Sequence, residues 1–287
     1  MPSPSNEFGG SGERHEEDVC VAFRLGGGTV ALRTPNQEFS DHLARFLPDY
    51  VVPPQCSPPD ESYWITYDGT TWSIGIEHTP VVDSFDSIAD TLNGLEQLIV
   101  TRLLALSFDK AQIHATGTVN NGEAVVALGA SGAGKTSIAL SWASTGRPVL
   151  GDDVVLFNDN GTAEPFKRKF IVAAERLKSN GLDPDPCLSW LSDPKETWYD
   201  PQAGGGWATS APVGRIALIQ FDANAGLRAT DMAKPEALSA FLASLLPTGM
   251  QADELFDTVL AVISRCPTIE LTFSDSIEAA EFLIGEW

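Results

Sequence analysis

The apolar residues of this 287-residue chain change their spacing several times, and each change predicts a new element. From about residue 19 to 78 they fall in short runs suited to strands. Runs at 19–23 and 29–32 flank a Gly26-Gly27-Gly28 turn, and runs at 63–67 and 71–76 flank Asp68-Gly69, a strong hairpin signal. Four prolines between Pro53 and Pro59 mark an irregular connection. Over residues 85–108 the period lengthens: Ile88, Leu92, Leu95, Leu98, Ile99, Leu103, Leu104 and Leu106 predict a long amphipathic helix, broken near Gly94. A strand at 112–119, the tight turn Asn120-Asn121-Gly122 and a strand at 124–128 come next, then a helix from Gly134 that stops near Gly146. Residues 148–151 and 154–157 read as a strand pair around Asp152 and Asp153, closed by a turn at 158–161. Beyond Pro165 the pattern weakens. Residues 183–212, rich in Pro, Gly and Trp, read as one long loop: a lid, a binding loop or disorder. Strands at 215–221 and 268–273 and helices at 235–246, 252–265 and 277–284 complete the chain. The expected organisation is a polar disordered tail at 1–18, a small β-rich subdomain at 19–84 and an α/β domain at 85–287. No internal repeat is evident.

The densest chemistry lies where the 124–128 run meets the next helix. Gly129-Ala130-Ser131-Gly132-Ala133-Gly134-Lys135-Thr136 is a complete G-x-x-x-x-G-K-[ST] phosphate-binding loop in its required setting of strand, loop and helix. Gly129, Gly132 and Gly134 let consecutive backbone N–H groups turn inward on a phosphate. The helix beyond presents its partially positive N-terminus to the same anion. Lys135 is placed to reach the β- and γ-phosphates, and the Thr136 hydroxyl to hold Mg²⁺. The stretch from Gly129 through Ser137 is therefore the expected site for ATP with Mg²⁺.

Asp152-Asp153 follows 17 residues after Lys135, at the tip of an apolar strand. Phosphoryl transfer needs one carboxylate for the metal and often another for the acceptor hydroxyl. Adjacent side chains on an extended chain face opposite ways, so a backbone kink would be needed for both to serve one site. Gly-Asp-Asp is also ordinary turn sequence, and the residues alone leave both readings open. His114 sits on the strand next to the phosphate-loop strand and is a candidate for the same site, or a structural histidine. His15, His42 and His78 read as surface. Lys167-Arg168-Lys169 can contact a substrate phosphate or an acidic acceptor peptide, or be a solvated run.

Charge narrows the partners. A formal net charge of −21 should repel nucleic acid and anionic membranes, so neither is expected as a partner. No apolar run approaches the roughly 20 residues that span a bilayer. The first 18 residues lack the basic start and apolar segment of a secretory leader. Cys20, Cys56, Cys187 and Cys266 are widely spaced, so neither a zinc site nor a redox motif is expected, and a cytoplasmic location fits.

Ile113-His114-Ala115, the phosphate loop, and Arg147-Pro148-Val149-Leu150-Gly151-Asp152-Asp153-Val154-Val155 together resemble the HPr kinase/phosphorylase family, above all its short bacterial relatives. The resemblance covers roughly residues 112–157. It implies a P-loop kinase core of the phosphoenolpyruvate carboxykinase-like type and phosphate transfer to a serine hydroxyl. It also implies that Asp152 and Asp153 act as catalytic base and metal-linked acid, in an order the resemblance leaves open, and Thr136 and Asp153 are the expected metal pair. His114 and Lys135 assist at the phosphate. The acceptor is a peptide, protein or small-molecule hydroxyl, and the family leaves room for a homo-oligomer. The chain departs from HPr kinases in Thr136-Ser137, where they carry Ser-Glu, and in lacking Glu-x-Arg-Gly after the Asp-Asp strand. A nucleotide-binding regulatory or scaffold protein without phosphotransfer is the alternative. No Asn-Lys-x-Asp or Leu-Ser-Gly-Gly-Gln motif supports a switch GTPase or a transporter ATPase.

Overall fold

Residues 19–34, 37–53, 59–76, 81–188 and 196–285 are described by a computed structural model with a mixed α/β architecture. The chain divides into two units between Phe108 and Asp109.

The first unit contains β1 (Val19–Leu25), β2 (Gly28–Thr34), α1 (Gln37–Phe46), β3 (Val51–Val52), β4 (Glu61–Tyr67), β5 (Trp72–Ile76), β6 (Val81–Phe85) and α2 (Ile88–Leu106). Its sheet has the order β3-β1-β2-β4-β5-β6, with β2 and β4 parallel and the other pairs antiparallel. The alternation buries Phe23, Leu32 and Ile74, and α2 buries Leu92, Leu95, Ile99 and Leu103 in the same unit. Ser87 caps α2 by accepting from the Asp90 N–H at 3.1 Å. The helix runs unbroken through Gly94, where the Phe85 ring fills the space a Cβ would need. Because α2 packs on β1 and β2, the boundary falls after it, not at 84/85 as the sequence suggested.

The second unit holds β7 (Ala111–Ile113), β8 (Ala115–Asn120), β9 (Glu123–Leu128), α3 (Lys135–Ser144), β10 (Val149–Gly151), β11 (Val155–Phe157), β12 (Thr162–Pro165), β13 (Phe170–Ala173), α4 (Ala174–Ser179), β14 (Glu196–Tyr199), β15 (Ala211–Phe221), β16 (Arg228–Asp231), α5 (Lys234–Ala243), α6 (Ala252–Arg265), β17 (Thr268–Phe273) and α7 (Ser276–Ile284). Its central order is β10-β8-β9-β15, with β17 on the far side of β15 and β16 beyond it. Strands β9, β15 and β17 are parallel, so their C-terminal ends share one edge. The first residues of β15 pair instead with β12, which continues through β11 to β7.

Three expected strands differ in this arrangement. The run at 112–119 is interrupted at His114, so that β7 pairs with β11 and β8 with β9 and β10. Strands β10 and β11 are no pair, because the intervening turn sends them to different neighbours. The unbroken apolar run of β9 reflects burial on both faces. Val125 and Ala127 pack in one cluster with Ile138, Trp142, Leu271 and Leu283. Ala124, Val126 and Leu128 pack in the other with Phe157, Phe241 and Val259. Among the described residues no helix is long and apolar enough to cross a membrane.

Residues 183–212 are largely built into the unit rather than forming one long loop, with residues 189–195 outside the described set. Strand β14 pairs with β13, and a 3-10 turn follows at Pro201–Ala203. The Val149 N–H donates to the Gly206 carbonyl at 3.0 Å, and the Ala208 N–H to the Val149 carbonyl at 2.8 Å. A Cβ on Gly205 would lie 1.8 Å from the Arg147 carbonyl oxygen. This segment is part of the fold. Gly205→Ala should therefore lower stability by about 1–3 kcal/mol, the usual cost of overpacking a fitted site, in a thermal or urea melt. An unchanged midpoint would return residues 204–206 to a loosely held lid.

Candidate functional site

Loop residues 129–134 join β9 to α3, and their glycines are there for steric reasons. A Cβ on Gly129 would meet the Ala133 Cβ at 2.7 Å and the Ile219 carbonyl oxygen at 2.8 Å. Gly132 and Gly134 have φ of 81° and 100°, left-handed conformations that glycine adopts freely. Gly134 also caps α3, and no side chain caps the helix's first N–H groups. These orphan donors and the helix dipole make a ready anion site. Lys135 is buried, and its Nζ donates to the carbonyls of Gly129 at 2.7 Å and Ala130 at 3.1 Å. Its pKa is lowered by burial, with the charges of Asp153 and Asp152 pulling the other way.

The sheet order brings the remaining groups to the same edge. Strand β8 starts opposite the C-terminal end of β9, with Ala115 facing Leu128, so His114 emerges there. Strand β10 runs antiparallel to β8 and ends there too, which places Asp152 and Asp153 beside the loop. The backbone kink that both carboxylates require is present. A Cβ on Gly151 would lie 2.1 Å from the Val154 carbonyl oxygen, so glycine alone permits so tight a turn. The Thr116 hydroxyl fastens the turn by donating to the Gly151 carbonyl at 2.7 Å.

Within that turn the two acids part. Asp152 is buried near the Thr136 hydroxyl, while its Oδ1 has no hydrogen-bond partner. Asp153 is exposed and lines a cavity of 380 Å³ with His114, Ser131, Thr136, Arg176 and Phe221. Thr136 thus lies near Asp152 and shares the cavity wall with Asp153, the acid expected to hold the metal with it. His114 Nδ1 donates to the Asp153 carbonyl at 3.0 Å, which leaves the lone pair of the neutral ring on Nε2. Burial, and next the charge of Asp153, raise the Asp152 pKa to about 7, while the nearby Thr136 hydroxyl and the charges of Arg168 and Lys135 hold it down.

Lys167-Arg168-Lys169 separates by role. Lys169 is buried and bound to Asp185 at 2.6 Å and Asp200 at 3.4 Å, tying β13 to the segment before and after β14. Arg168 contributes positive charge to Asp152. Two lining residues carry no sequence motif: Arg176, exposed on α4, and Phe221, at the end of β15. His42 lies in α1, while His15 and His78 lie outside the described residues. Among the described residues no group of three or more His, Cys, Asp and Glu forms a metal cage. No protein-family profile matches this chain, and no curated protein does either.

The Asp152 carboxyl titrates higher in the fold than its ordinary 3.8, so its burial is a cost that appears on ionisation. That cost is absent below pH 4, grows as pH rises to about 7 and stays constant above. In Mg²⁺-free buffer Asp152→Asn should be more stable than the wild type by on the order of 2 kcal/mol at pH 8, with the difference vanishing near pH 4. Thermal melts across that range check this. A difference independent of pH would contradict the buried, strained state of Asp152.

Proposed function

We propose that the protein is an ATP- and Mg²⁺-dependent phosphotransferase that moves the γ-phosphate to a hydroxyl, of serine in a peptide or protein. Its catalytic unit would be a P-loop kinase core of the HPr kinase and phosphoenolpyruvate carboxykinase-like type. The observation that carries this reading is the division of labour at Asp152-Asp153. One acid is buried near the Thr136 hydroxyl of the phosphate-loop helix, and the other is exposed in the adjoining cavity.

The residues fit Mg²⁺. The Thr136 hydroxyl and the Asp152 carboxylate are hard oxygen donors, and Asp152 Oδ1 is buried with no protein partner. One or two such groups plus phosphate oxygens are what Mg²⁺ ordinarily takes from a protein. When bound, the ion would offset the charge that develops on the transferred group.

The chain's own groups account for the rest. The loop N–H groups and the first turn of α3 hold the phosphates, and Lys135 leaves the loop carbonyls to engage them. Asp153 accepts the proton of the acceptor hydroxyl. As its oxygen forms a bond to the γ-phosphorus, the bond from that phosphorus to the bridging oxygen breaks and ADP leaves. His114 is a positioning residue, since its Nδ1–H holds the backbone carbonyl of Asp153 itself. Arg176 supplies a cation for the charge spread over the transferred group.

With γ-labelled ATP, Mg²⁺ and seryl peptides or lysate proteins as acceptors, the wild type should transfer label. Lys135→Ala should abolish binding or turnover. Asp153→Asn should cut turnover by about 10²–10⁴-fold, as expected for a lost general base, while ATP affinity holds. Tight ATP binding with no transfer to any acceptor would favour a nucleotide-gated regulatory or scaffold protein. Full turnover in Asp153→Asn would remove Asp153 from the chemistry.

A further inference from the structure

Phosphate, metal and hydroxyl chemistry have no use for Phe221. It is the one large apolar side chain among the described residues lining the cavity, and 46% of it is exposed to water. An aromatic ring held at a polar pocket wall is the kind of surface that flat, apolar ligand parts occupy.

Its position says which part. In the order β10-β8-β9-β15, the phosphate loop leaves β9 between two neighbours. On the β8 and β10 side stand His114, Asp152 and Asp153. On the β15 side stands Phe221, three residues beyond Leu218, which pairs with Leu128 at the end of β9. A Cβ on Gly134 would lie 3.6 Å from the Phe221 Cβ, so Phe221 flanks the residue that caps α3. Phe273, at the end of the parallel strand β17, supports it edge to face with centroids 5.9 Å apart. A triphosphate lying in the loop with its γ end at the carboxylates has its other end on the β15 side. In open α/β sheets that zone, outside the carboxyl ends of parallel strands, is where the rest of such a ligand lies.

Resting on the phosphotransferase reading above, we propose that Phe221 is the platform on which the purine base of the nucleotide stacks. None of the described lining residues is an Asn or Gln able to read a base edge. Stacking is tolerant of base identity, because every base has a π face. The site therefore accepts adenine and guanine nucleotides alike.

Calorimetric titration of wild type, Phe221→Ala and Phe221→Trp with Mg-ATP, Mg-GTP and Mg-tripolyphosphate tests this. Tripolyphosphate has the charge but no base. The wild type should bind ATP and GTP within a few-fold of one another, and tripolyphosphate about tenfold more weakly, the size of one base–aromatic stack. Phe221→Ala should bring ATP down to the tripolyphosphate level without altering tripolyphosphate binding, and Phe221→Trp should restore ATP. Unchanged ATP affinity in Phe221→Ala overturns the proposal. So does an equal loss for ATP and tripolyphosphate, which would make Phe221 a support for the loop. In either case the phosphate-site reading stands. If neither ligand binds the wild type, that reading fails and the stacking platform with it.

Discussion

Burying a carboxylate beside the start of a helix constrains everything around it. Asp152 has lost most of its water, and one of its oxygens has no protein partner. Such a group is costly unless positive charge and hydrogen bonds surround it. The fold surrounds Asp152 with the Thr136 hydroxyl and with the charges of Arg168 and Lys135. Each of these depends on a different part of the chain. Thr136 requires the loop glycines, Asp152 requires the turn only Gly151 permits, and Arg168 requires the chain to come back after β12. The site and the fold are thus one problem, and the energetic cost sits at the position where a cation would relieve it.

Where local pattern and final structure agree, the signal was strong and local. The loop between β9 and α3 and the Asn121-Gly122 turn, with φ of 52° and 83°, lie where the sequence put them. So do α6 and β17, residue for residue. Strand β9 was legible because burial on both faces leaves no polar position from Ala124 to Leu128. Helix α1 was missed although Phe39, Leu43, Phe46 and Leu47 recur at helical spacing, and all are buried. Its short length hid it among strands. The partners of β7, β8, β10 and β11 were not legible, since pairing is set by long-range topology and not by the composition of each strand.

The candidate site divides in the same way. The loop, Lys135, Thr136, the two acids and His114 carry their chemistry in residue type and spacing, and the sheet order brings them together. Which acid is buried was not legible, because it depends on how the Gly151 turn meets α3. Arg176 and Phe221 left no trace in any motif. One comes from a short helix in a region of weak pattern, the other from the last residue of a strand. The basic run near residue 168 shows how misleading a composition signal can be. Lys169 is consumed by Asp185 and Asp200 in the interior, while its neighbour Arg168 adds charge at the site.

A crystal structure with Mg²⁺ and a non-hydrolysable ATP analogue tests the account most directly. It should show the triphosphate in the loop at 129–136 and Mg²⁺ about 2.1 Å from both the Thr136 hydroxyl and an Asp152 carboxylate oxygen, with Asp153 facing the terminal phosphate and off the metal. Mg²⁺ held by Asp153 with Asp152 still buried on its own, or phosphates bound away from the loop, would contradict it.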